Sequence, residues 1–159
     1  MDTTMQLGFS SVKAPEDAAQ LMMVPPQLIE RTWPIVEHFF EGAPAWWTAR
    51  YDKESVRTLF LEGHMQLWCA NDEDHILGVL VTELRNYPLM KICNIVLLVG
   101  TDMPRWMHHL ETVELWARRE KAEFIHAVGR PGLKRVLKPW GYEQEAVALV
   151  KNLETMTVN

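Results

Sequence analysis

From position 91 to 99 the chain reads Lys-Ile-Cys-Asn-Ile-Val-Leu-Leu-Val, a strand-length run with apolar residues on both of its faces. Such a strand has to lie inside a sheet covered on both sides, since neither face tolerates water. The next segment constrains the layout further. Gly100-Thr101-Asp102 leads into a stretch over 103–121 with Pro104 in its first turn, where Met103, Trp106, Leu110, Val113 and Ala117 recur every three or four residues. That spacing predicts one long helix with a single buried stripe, and Glu114 and Arg118 are placed to pair on its outer side. A strand is expected over 123–128, a short helix over 131–138 and a last strand over 142–153. A helix joining two strands is a crossover, which favours parallel pairing and a right-handed connection.

Upstream, residues 1–19 are polar and small and read as an arm or loose lead-in, leaving a single domain over 20–159. A short strand over 20–24 is stopped by Pro25-Pro26, which also supplies a helix start. Leu28, Trp33, Ile35, Val36, Phe39 and Phe40 make a broad helical stripe over 27–40, with Pro34 expected to kink or divide it. Gly42 and Pro44 end that element, 45–52 reads as loop, and 53–62 as a second helix with Gly63 as its stop. Strands over 65–70 and 76–85, with turns at Asn71-Asp72-Glu73-Asp74 and Asn86-Tyr87-Pro88, complete an antiparallel meander with the apolar strand. The expected fold class is therefore α/β, a mostly antiparallel mixed sheet with helices on both faces.

Composition bounds the function. A chain of 159 residues holds one domain with a real core, and 48% hydrophobic with 23% charged content is ordinary for a soluble globular protein. The net charge of −5 provides no general field for nucleic acid or an anionic membrane, so a protein partner is favoured over either. The longest apolar run is far short of a membrane span, and no charged-then-apolar leader opens the chain. Cys69 and Cys93 lack metal-type spacing and read as buried reduced thiols, which points to a cytoplasmic compartment. Seven Trp and nine Met suit an adaptable core; alternatively Trp46 and Trp47 form an exposed partner surface, though residue-type preferences favour the core.

This order of elements over about 20–153, with Gly141-Tyr142 in place of a Gly-Phe pair after the short helix, resembles the GCN5-related N-acetyltransferases. The segments Val24-Pro25-Pro26, Trp33-Pro34, Leu67-Trp68, Lys91-Ile92-Cys93-Asn94-Ile95, Met103-Pro104-Arg105-Trp106 and Gly129-Arg130 more closely resemble short proteins of that kind encoded by tailed phages and prophages. The resemblance implies an acetyl-CoA site at the turn after the central strand, carried here by Val99, Gly100, Thr101, Met103 and Arg105. It also implies a host-cell cytoplasmic setting, with incorporation in the virion as one outcome.

The sequence departs from the family pattern at two functional places. Active members carry Arg/Gln-x-x-Gly-x-Gly/Ala after the central strand, because backbone must approach the pyrophosphate closely. Here the turn is Gly100-Thr101-Asp102-Met103-Pro104-Arg105-Trp106, where Asp102 repels phosphate, Pro104 removes an amide, Trp106 is bulky and only Arg105 offers compensating charge. Many members place a tyrosine acid four residues before the Gly of Gly-Phe; counting back from Gly141 gives Leu137, which has no proton to donate.

Remaining candidates are few. Glu83, a carboxylate in an otherwise apolar strand, is either a general base or a solvated outward residue. His108-His109 with Glu111 lacks a third ligand and reads as a polar helix face, so no metal is expected. Arg130, Lys134, Arg135 and Lys138 surround one short helix, where they meet a phosphate, an acidic partner or only water. These residues leave two functional expectations. One is a non-catalytic protein of this fold serving phage assembly, the virion or a host-protein contact. The other is an acyl-CoA-dependent N-acetyltransferase, with Glu83 or a water as base.

Overall fold

The structure is a computed structural model that describes residues 14–155. Five strands form one sheet in sequence order: β1 (Gln20–Val24), β2 (Gln66–Asn71), β3 (Ile76–Asn86), β4 (Lys91–Gly100) and β5 (Phe124–Ala127). The first four pair antiparallel and β5 joins β4 in parallel, as a crossover requires. The mixed α/β layout with helices on both faces is the one expected from the sequence.

Alternation along the strands divides the core in two. Leu67, Cys69, Val79, Val81 and Leu97 face one side, where they meet Trp33, Val36 and Phe40 of α1 (Ile29–Glu41), Trp47 of α2 (Ala45–Thr48) and Val56 and Phe60 of α3 (Lys53–Leu61). Trp68, Ala70, Leu80 and Ile95 face the other, under Leu110 and Val113 of α4 (Leu110–Arg119) and Leu137 of α5 (Leu133–Leu137).

Local rules account for the element ends. Asp52 caps α3 by accepting from the Ser55 amide at 2.7 Å, and Ser55 Oγ accepts from the Asp52 amide at 3.0 Å. Gly63, at φ +77°, turns the chain out of the helix as expected. Pro34 does not divide α1, which runs on as one helix from a 3-10 turn at Pro26–Leu28. The segment expected as loop over 45–52 contains α2, because Pro44 starts a turn that seats Trp47 in the core.

Three expectations need larger corrections. The long helix over 103–121 is instead two 3-10 turns, Met103–Arg105 and Met107–His109, followed by α4. Trp106 between them has φ −137° and ψ −3°, outside the helical region, because its side chain turns down onto the sheet. The last strand expected over 142–153 does not form: residues 142–152 carry no regular structure, since the edge of β5 that would pair with them lies across a groove. The expected loose arm over 1–19 falls mostly outside the described residues. Its described end is docked, because the Ala19 amide donates to Arg105 O at 2.9 Å and Ala19 is buried.

Candidate functional site

Strands β4 and β5 stay together only from Ile92↔Phe124 to Ile95↔Ala127. At that point β4 carries a bulge: consecutive residues Val81 and Thr82 of β3 oppose Leu97 and Ile95, which leaves Val96 without a partner. Beyond the bulge, Leu97 to Gly100 pair with β3 alone, because β5 ends at Ala127. This edge of β4 ends at the turn that leaves the strand.

The candidate residues Val99, Gly100, Thr101, Met103 and Arg105 do come together at this turn. Gly78 and Gly100 face each other across β3 and β4, and the backbones approach so closely that a β-carbon on Gly100 would lie 2.5 Å from the Gly78 Cα. The Trp106 ring fills the space beside them: a β-carbon on Gly78 would lie 2.8 Å from its Cζ2. The indole Nε1 donates to Thr101 O at 3.0 Å, and Trp106 is buried. The Thr101 amide in turn donates to Leu77 O at 2.8 Å.

A pyrophosphate cradle needs several free, converging N–H groups. Here the Thr101 amide is committed to Leu77, the Arg105 amide donates to Asp102 O at 2.9 Å, the Trp106 amide donates to Met103 O at 3.0 Å, and Pro104 has none. Asp102 adopts the left-handed conformation at φ 52°. The charge expected from Arg105 is also taken. Its Nε lies 2.9 Å from Asp17 O and 3.4 Å from Asp17 Oδ2, and its Nη1 lies 3.3 Å from Asp72 Oδ2 and 3.9 Å from Asp102 Oδ2. Three carboxylates around one guanidinium leave this corner net negative, which repels an anion. From Thr101 to Trp106 only the Asp102 and Met103 amides lack a backbone acceptor, so with the carboxylates around Arg105 the turn fits the diphosphate of acetyl-CoA poorly.

Glu83 lies five residues along β3 from Gly78, roughly 17 Å away at the usual strand rise. Its side chain is only 16% exposed, and Oε1 accepts from Arg85 Nε at 3.1 Å and Asn94 Nδ2 at 3.4 Å. It is therefore an oriented carboxylate rather than a solvated outward one. Burial, with the Glu83 charge adding to it, pushes the neighbouring Cys93 thiol up to about 12.

Sequence reasoning missed a pair on the opposite side of the sheet. Tyr142 OH donates to Glu114 Oε2 at 2.7 Å, so Glu114 turns inward instead of pairing with Arg118. Burial raises both groups, and Tyr142 lies far above the ordinary tyrosine range, which makes it a fixed hydrogen-bond donor and a poor acid. The two residues are separated by 28 positions, and the tyrosine in the Gly-Tyr pair was the one available signal. Leu137 is buried and chemically inert.

The expected partner surface separates into two places. Trp47 is 1% exposed, with the rings of Tyr51 and Phe40 tilted against it, so it belongs to the core and to no surface. Trp46 is half-buried against the same core. Arg130, Lys134, Arg135 and Lys138 are exposed around α5, on the other side of the sheet, and no ion pair holds them among the described residues. His108 and His109 stack on each other, and no group of three metal-ligating side chains occurs among the described residues. No helix among them is long and apolar enough to cross a membrane.

No protein-family profile matches this sequence, and no curated protein matches it. Solved structures do. An aminoglycoside acetyltransferase from an uncultured soil metagenomic sample, in complex with sisomicin, superposes with a TM-score of 0.64 at 12% identity, covering 87% of this chain and 98% of that one. A ribosomal-protein-alanine N-acetyltransferase from Brucella melitensis biovar Abortus 2308 gives 0.61 at 7% identity, over 84% and 99%. A transcriptional regulator from Bacillus halodurans C-125 gives 0.56 at 14% identity, over 85% and 99%. The chain thus has the fold of the GCN5-related N-acetyltransferases. At these identities the likeness concerns the fold, and function rests on the site.

Proposed function

We propose that this chain is an acetyltransferase-fold protein that acts through protein contact rather than acyl transfer. The observation that carries this reading is Trp106. Its indole is seated on Gly78 and bonded to the Thr101 carbonyl, in the turn where a cofactor diphosphate would need open backbone. The acidic surroundings of Arg105 and the amides already committed in that turn point the same way.

The basic face of α5 supplies the contact. Arg130, Lys134, Arg135 and Lys138 are exposed charges in a protein of net charge −5, and they suit an acidic protein surface. The sequence segments shared in pattern with phage and prophage proteins support a phage structural protein or a host protein as that partner. They equally support the host cytoplasm or the virion as the place of action.

A second reading, an acyl-CoA-dependent N-acetyltransferase, is favoured by Glu83, which is largely buried and oriented by Arg85 and Asn94 as a base would be. Thermal unfolding with and without acetyl-CoA or CoA separates the two. A ligand that binds only the folded state stabilises it by about 2.7 kcal/mol at a hundredfold excess over Kd. The contact reading expects no shift at millimolar cofactor and no acetylation of an amine panel. A concentration-dependent rise in Tm accompanied by amine acetylation overturns it.

A further inference from the structure

The outer edge of β5 is open. Among the described residues its only strand partner is β4, and on its free side a groove of about 770 Å³ separates it from residues 143–148. Across this groove His126 Nε2 and Glu145 Oε2 meet at 3.2 Å. The facing segment is itself strand-like without being a strand. Among the described residues, none from 143 to 151 makes a backbone–backbone hydrogen bond. Val147 is 69% exposed, Leu149 93% and Val150 94%, an unusual concentration of bare apolar surface beside unpaired backbone.

We propose that the occupant of this groove is the same segment of a second copy of the chain, in a reciprocal, two-fold strand exchange. The sequence from 145 to 151 is self-complementary in antiparallel register about Ala148. In that register Glu145 lies opposite the partner's Lys151, Ala146 opposite the partner's Val150, and Val147 opposite the partner's Leu149. Opposite charges meet, a small residue meets a large one, and two apolar side chains meet, each repeated by the two-fold axis. A one-residue slip parts Glu145 from the partner's Lys151, setting it opposite Asn152 or Val150, so the charge pair selects the register.

The same pairing fills the groove. With the axis at Ala148, the distal half of one tail lies beside the proximal half of the other and is carried into the slot against β5. A strand inserted there replaces the His126–Glu145 contact and sits one strand spacing, roughly 4.8 Å, from β5. It meets the unpaired N–H and C=O groups of β5 and covers the apolar side chains of both tails. The basic residues Arg130 and Lys134 on the rim meet acidic tails carrying Glu143 and Glu145. This is strand addition to an open edge, with the chain acting as its own ligand.

The test uses the full chain. Light scattering during size-exclusion chromatography is expected to give a dimer. Leu149→Lys and Val150→Pro alter side chains that are bare in the monomer, so they should abolish the dimer and leave the near-UV spectrum of the domain unchanged. Glu145→Lys should also dissociate it by placing lysine opposite lysine, and Glu145→Lys with Lys151→Glu should restore it. Ala148→Cys places two cysteines across the axis at a Cα separation of roughly 4.5–5.5 Å, within disulfide range, and mild oxidation should link them. A monomeric wild-type protein overturns the proposal, as does a dimer indifferent to Leu149→Lys or one in which Ala148→Cys fails to cross-link.

Discussion

Trp106 lies over Gly78: a β-carbon at position 78 would come within 2.8 Å of the indole Cζ2 and 2.5 Å of Val99 O. The two residues are complementary, since the glycine makes room for the ring. Gly78→Ala should therefore cost about 1–3 kcal/mol through overpacking. Gly132→Ala, where an added β-carbon meets nothing within 4 Å, should change stability by less than about 0.5 kcal/mol. Urea denaturation of both variants checks the contrast, and equal losses would contradict the close approach.

Arg105 joins three segments distant in sequence, through Asp17, Asp72 and its own turn at Asp102. Arg105→Ala should cost on the order of 1 kcal/mol, because partly exposed ion pairs are individually weak. It leaves three carboxylates facing one another, so the loss should shrink at high salt. Hydrogen exchange at the Ala19 amide, which bonds to Arg105 O, should quicken in the variant.

Glu114 provides a pH signature. Its folded pKa is raised above the ordinary value of 4.5, first by burial, while the bond from Tyr142 works against the rise. A carboxyl with a raised folded pKa binds more protons folded than unfolded, so its contribution falls as pH rises from about 4.5 through the folded value. The substitution Glu114→Gln keeps an acceptor for Tyr142 OH and removes the titration. The difference in stability between this variant and the wild type should thus grow across that window in favour of the variant. A pH-independent difference would remove Glu114 as its source.

The thiols of Cys69 and Cys93 are both pushed up to about 12, chiefly by burial. Since the thiolate is the reactive form, neither should react with a maleimide in the native state. Labelling rates should follow global unfolding with increasing urea, and rapid native labelling would show one of the two to be accessible.

Much of the sheet is legible in the sequence. The placing of β2 and β3, the two-faced apolar run of β4 and Gly63 as the stop of α3 all come from local sequence. Of the predicted stripe, Trp106, Leu110, Val113 and Ala117 are buried and Met103 only partly so, and only Leu110, Val113 and Ala117 share one helix. A helical period cannot distinguish a continuous helix from two short turns whose side chains happen to fall on the same side. The poor fit of the turn after β4 to an anion is also legible, because proline, aspartate and tryptophan are wrong for an anion whatever the fold.

What the sequence determined by itself was the order and type of the strands and the chemistry missing from the turn, since both depend on neighbouring residues. Tertiary structure alone decided where the long-range partners lie. Trp106 meets Gly78, Arg105 turns to Asp17 and Asp72 instead of a phosphate, and Tyr142 finds Glu114. It decided, too, that the strand-like tail after Tyr142 remains unpaired in a single chain. A strand is defined by the edge it bonds to, and no local pattern specifies whether that edge is within reach.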